Sequence, residues 1–310
     1  MSKRKETNKF LAGIRSHDVR PLGRVSEAKD EATRPVTTGP RSVRQKLCLF
    51  LIILIMLFWT GFCFLFSQWF VAFLAIRVFG LTSAQFQEPF NLAIYDLVNY
   101  SLMVFLNVGL PYLFFKTHKI SKKYKTLKVT RDNLGLKDLP TWKDIGLAPA
   151  GFFVYFILAA ILTATFSAIF PWFDAGQTQD VGFNSLYSSF DRLAAFFALV
   201  VVAPVAEEVI FRGWLYGQLR ALIPAKINLP FIKKSTKKYQ FPLSLVLSML
   251  IVSALFGLLH LQWNVGINVF CLSLVLCALR EVTGTIYSGI LLHMFKNGIA
   301  FYLLYVINML

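Results

Sequence analysis

Long apolar runs alternate along the chain with shorter polar segments. The runs cover residues 47–79, 92–115, 145–170, 190–222, 241–262, 264–280 and 283–309. A bilayer core needs about 20 apolar residues per helix. The pattern therefore predicts an all-α, polytopic membrane helical bundle of about seven transmembrane helices. The run 264–280 is short for a crossing and the run 190–222 is long. Residues 1–46 show no apolar stripe and are dominated by Pro, Gly, Ser, Thr and charge, which predicts a disordered tail. A secretory signal places its apolar core within the first ~15–30 residues. Here the first apolar run begins near Leu47, so it reads as a first transmembrane helix. The expected division is a basic tail at 1–46, N-terminal helices with a basic loop at 47–143, and a core at 144–310.

Composition fits this picture. Hydrophobic residues make up 56% of the chain and charged ones 15%, against about 25% charged in ordinary soluble domains. The net charge of +16 is concentrated in a few segments. The loop 116–143 contains THKISKKYKTLKV, and the loop 224–240 carries Lys226, Lys233, Lys234, Lys237 and Lys238 without an acid. The connections near 80–91 and 171–191 carry Glu88, Asp174, Asp180 and Asp191. By the positive-inside rule, the N-terminus and the two Lys-rich loops are cytoplasmic and the acidic connections outside. Seven crossings would place the C-terminus outside. The expected setting is an integral protein of the plasma membrane, with membrane lipids as partners and the basic tail near anionic headgroups. No nucleic-acid role is expected, because basic residues of the tail are interleaved with acids and lack an aromatic platform. Cys48, Cys63, Cys271 and Cys277 all lie in apolar stretches without CxxC spacing and read as small hydrophobes.

The chemistry is concentrated in AAFFALVVVAPVAEEVIFRGWLYG, which holds Glu207, Glu208 and Arg212. Each charge near the bilayer centre costs at least ~2.5–3.5 kcal/mol, so three together imply use. Glu208 and Arg212 are spaced i, i+4 and can pair on one helix face. Glu207 points about a third of a turn away and is free to act on water as a general base. Pro204 cannot donate to the carbonyl of Val200, which predicts a kink one turn before the glutamates. Two further polar pairs follow, Phe256–His260 and His293–Asn297. Counted at ~1.5 Å per residue from the expected cytoplasmic ends, Glu207 lies about 24 Å deep, His260 about 28 Å, His293 about 16 Å and Asn297 about 22 Å. A common polar chamber inside the bundle is the expected result. His17 and His118 lie in basic segments apart from it.

EEVIFRG, FGLLH and HMFKN resemble the three motifs of the CAAX-processing and bacteriocin-processing membrane proteases, the CPBP or Abi family, in order and on separate apolar runs. The resemblance covers about residues 190–300. It implies an intramembrane endopeptidase acting on a membrane-associated or lipid-modified, CAAX-like protein or peptide. Carried over by position, Glu207 activates water together with His260. Glu208 and Arg212 organise the site, His293 and Asn297 stabilise the oxyanion, and Phe256 is a substrate contact. No cofactor is required on this reading. Alternatives stay open. Glu207, His260 and His293 could hold zinc with a fourth position free, although no His-Glu-x-x-His helix is present. A non-catalytic role in bacteriocin self-immunity or scaffolding uses the same fold. A transporter could use the carboxylates as proton relays, although no internal repeat of the transporter kind is seen.

Overall fold

The computed structural model describes residues 43–117, 127–178, 182–183, 186, 188–223 and 242–307. Residues 1–42 of the expected tail, His17, His118, residues 118–126 of the first Lys-rich loop and all of the loop 224–240 lie outside the described residues. All described residues belong to the unit Thr37–Leu310.

Among the described residues the fold is all-helical and contains no strand. Seven long helices are numbered here in chain order. They are α1 (Leu47–Val78), α2 (Pro89–Thr117), α3 (Trp142–Ile169), α4 (Ser189–Leu222), α5 (Leu243–Leu258), α6 (Trp263–Thr283) and α7 (Tyr287–Tyr305). Helices α1, α2, α3, α4 and α6 are long and apolar enough to cross a membrane, while α5 has only 16 residues. The helix α6 is longer than the expected run 264–280, because Trp263 begins it and Glu281, Val282 and Thr283 continue it.

Burial separates the helices into an inner and an outer set. In the most apolar window of α4 and of α6, 50% of residues are buried within the protein, against 22% for α1, α2 and α3. The outer three present Phe, Leu and Ile side chains such as Phe58, Phe62 and Phe156 outward, as lipid-facing helices do. One apolar core joins α1, α2, α4 and α5 around Met103, Phe211, Leu215 and Phe256. A second joins α3, α6 and α7 around Tyr155, Leu272, Leu276 and Leu292.

Polar ties fix the inner helices at their ends. The carboxylate of Asp144, near the start of α3, accepts hydrogen bonds from Thr285 and Ser288 at 2.8 and 2.9 Å, anchoring the α6–α7 turn. Arg220 on α4 forms a two-pronged pair with Glu281 on α6 at 2.7 and 3.1 Å, and Tyr216 donates to the same carboxylate at 2.8 Å. Between α5 and α6 the backbones nearly touch. A Cβ on Gly257 would lie 2.6 Å from the carbonyl oxygen of Gly266. Small residues permit such close crossings in membrane bundles, and this one lies beside Phe256 and His260.

Helix α4 is not uniform. Wide π-helical turns occupy Phe197–Val202 and Glu208–Leu215, on either side of Ala203–Glu207. Such turns are rare and concentrate at functional sites. They follow from Pro204 in a way the i−4 rule does not anticipate. The amide of Ala203 already bonds back five residues, to Ala198. The carbonyl that loses its partner at Pro204 is then Leu199, five residues back, and not Val200 as expected from an α-helix. The change of winding lies where the kink is anticipated.

Candidate active site

Glu207 and Glu208 end the short α-helical piece of α4 and begin the second π-turn. Both are buried, at 6% and 0% exposure, and Arg212 is at 0%. Arg212 Nη1 donates to Glu208 Oε1 at 2.9 Å, so the i, i+4 pair forms as its spacing predicts. The guanidinium also lies over the ring of Phe256, 4.5 Å from its centroid. The ring face attracts the cation.

His293 on α7 enters between the two glutamates. Its Nδ1 lies 3.0 Å from Glu208 Oε1 and its Nε2 lies 3.7 Å from Glu207 Oε2. A carboxylate accepts, so Nδ1 carries the hydrogen shared with Glu208. Gly289, one turn earlier on α7, makes room for this arrangement. A Cβ there would sit 3.0 Å from Glu208 Oε2.

His260 lies just beyond α5, in a tight turn rather than inside a continuous span. The amides of His260 and Leu261 bond back three residues, to Gly257 and Leu258. Leu261 closes the turn at φ 54°. The Phe256 carbonyl is left without an amide and is met by His260 Nδ1 at 2.8 Å. A carbonyl only accepts, so Nδ1 is protonated and Nε2 of the neutral ring carries the lone pair. Gln262 and Asn264 then bind the carbonyls of Gln177 and Thr178, tying the 171–178 segment to the His260 turn.

Asn297 performs the same repair on α4. Its Nδ2 donates at 3.0 Å to the Leu199 carbonyl, the one deprived of a partner by Pro204. Phe256 is fully buried. Its ring packs edge-on to His260 at 5.0 Å and to His293 at 6.1 Å between centroids. It props both imidazoles and offers no exposed surface to a substrate.

Three polar residues not singled out from the sequence face the same centre. Tyr100 on α2 donates to Glu207 Oε1 at 3.2 Å. Asp96, one turn earlier, and Lys296 on α7 are both within electrostatic reach of Glu207. Asp96 and Lys296 were legible as charges within apolar runs; a tyrosine gives no such signal. Between α2 and α4 lies a cavity of about 400 Å³ with an apolar lining that includes Phe90, Leu97, Phe190 and Val202.

The segment 189–299, from the start of α4 into α7, matches the family model described as type II CAAX prenyl endopeptidase Rce1-like. It is an Rce1-like domain. The domain contains Glu207, Glu208, Arg212, Phe256, His260, His293 and Asn297, whereas Tyr100 and Asp96 lie outside it. Comparison with curated proteins and with solved structures gave no match. The apolar helices and the Rce1-like segment indicate an integral membrane protein. Among the described residues, no three His, Cys, Asp or Glu side chains come together as a metal-holding group.

Proposed function

We propose that the protein is an intramembrane endopeptidase that hydrolyses a peptide bond near the lipidated, CAAX-like end of a membrane-associated protein, with Glu207 and His260 activating water. The observation that carries the proposal is the meeting of Glu207, Glu208 and His293 from two helices in a buried centre, inside an Rce1-like segment. Buried ionisable groups at membrane depth are costly unless used.

In this mechanism Glu207 takes a proton from water, helped by the Nε2 lone pair of His260. The water oxygen bonds to the scissile carbonyl carbon. Negative charge develops on the carbonyl oxygen and is met by His293 and by the second Nδ2–H of Asn297. The proton taken by Glu207 passes to the departing amine as the C–N bond breaks. Glu208 and Arg212 hold His293 in place. Phe256 supports both imidazoles, a role its burial favours over substrate contact. The apolar cavity between α2 and α4 supports a substrate that brings a hydrocarbon chain. We also propose that the N-terminus and the Lys-rich loops are cytoplasmic in a plasma membrane, on the strength of the charge asymmetry.

The test uses the purified full-length protein in liposomes with a synthetic farnesylated peptide ending in a CAAX sequence. Release of the C-terminal tripeptide is expected from wild type and not from Glu207→Gln. Full activity in Glu207→Gln would refute the mechanism. One bound zinc per chain, lost in His260→Ala together with activity, would replace it with the metal-dependent version.

A further inference from the structure

We propose that Tyr100, on a helix outside the Rce1-like segment, is a positioning residue for the carboxylate of Glu207. The inference rests on the hydrolase reading above. Helix α2 packs against the Ala203–Glu207 piece of α4, and the Tyr100 hydroxyl reaches Glu207 Oε1 at 3.2 Å. Among the described residues, no other group donates a hydrogen bond to Glu207. Its second oxygen, Oε2, faces His293 Nε2 at 3.7 Å, beyond hydrogen-bond length.

The two oxygens of Glu207 therefore have different tasks. Oε1 is held by the phenol, and Oε2 remains for the water that His260 and Glu207 share. The final torsion of a glutamate is broad and weakly restrained. Without a donor on one oxygen, the carboxylate plane turns away from the attack direction for part of the time. A phenol suits this position within a membrane. It donates a hydrogen bond, adds no charge beside a carboxylate that already has Asp96 and Glu208 for neighbours, and keeps its own proton at neutral pH.

Tyr100→Phe removes one oxygen atom and leaves the ring packing intact. On the farnesylated CAAX peptide, kcat is expected to fall roughly 10- to 100-fold, the size of one hydrogen bond to a charged group, with KM unchanged. Tyr95→Phe is the control. Tyr95 lies on the same helix and donates instead to the Gln68 carbonyl at 3.2 Å, so its loss should leave kcat at the wild-type value. Wild-type kcat in Tyr100→Phe would overturn the inference, and so would an equal loss in Tyr95→Phe. A folded wild type that leaves the peptide uncut would refute the hydrolase reading instead. The hydrogen bond is then read directly by infrared spectroscopy. The carboxylate band abolished by Glu207→Gln must shift in Tyr100→Phe, and an unshifted band overturns the inference.

Discussion

Removing the guanidinium while keeping its length, as in Arg212→Met, tests how the buried centre is held together. In the native protein the Arg212 and Glu208 side chains are 1% and 0% exposed and meet at 2.9 Å. That burial puts the pair outside the regime of surface salt bridges, which contribute about 0–1 kcal/mol. Breaking a buried pair costs about 3–5 kcal/mol, because the remaining charge has no compensation. At about 1.4 kcal/mol per factor of ten, this is between two and four powers of ten in the folding equilibrium. Loss of the cation from the face of Phe256, 4.5 Å away, adds up to about 2 kcal/mol in a desolvated setting. The double variant Glu208→Gln/Arg212→Met removes both charges. Its glutamine oxygen can still accept from His293 Nδ1, so most of the lost stability should return. Unfolding in detergent micelles, followed by helicity and by tryptophan fluorescence, measures all four corners of the cycle. If the double variant is as unstable as Arg212→Met alone, the uncompensated carboxylate is not what destabilises the single variant, and the reasoning fails.

Two further perturbations address the turns that shape the site. Asn297→Ala leaves the Leu199 carbonyl buried without a donor and should cost about 1–3 kcal/mol; adding Pro204→Ala restores a backbone N–H and should recover part of this in the same unfolding assay. Gly257→Ala places a methyl group 2.6 Å from the Gly266 carbonyl and must part α5 from α6. We expect a loss of peptide cleavage through displacement of His260, larger than that of a matched Ala substitution at Gly146, where a Cβ meets nothing within 4 Å.

The helical class and the approximate limits of the long helices were legible because membrane burial writes itself into long apolar runs. The i, i+4 pairing of Glu208 with Arg212 was legible for the same kind of reason, since local spacing determines it. What could not be read depends on winding and on partners distant in sequence. Hydropathy does not distinguish an α-turn from a π-turn, so the orphan carbonyl was assigned to Val200 when it belongs to Leu199. The turn at His260 rests on a left-handed Leu261, which leucine composition does not announce. Tyr100 lies 107 residues from Glu207, and a tyrosine in an apolar run resembles any other aromatic lipid-facing residue. Phe256 was placed by its motif against substrate, whereas packing makes it a prop for three charged or ionisable groups.

The π-turns of α4 carry one more consequence. Each wide turn accommodates one residue more than regular winding would, so the chain holds Glu207 and Glu208 at their angles by length as well as by composition. Deleting a single valine from 200–202 removes the surplus residue, lets this turn close to regular winding and leaves the glutamates on their face of α4. The same deletion in a regular turn swings everything downstream by about 100° around the helix axis. Tolerance to a lost residue along α4 is therefore set by local winding, which the hydropathy profile does not show.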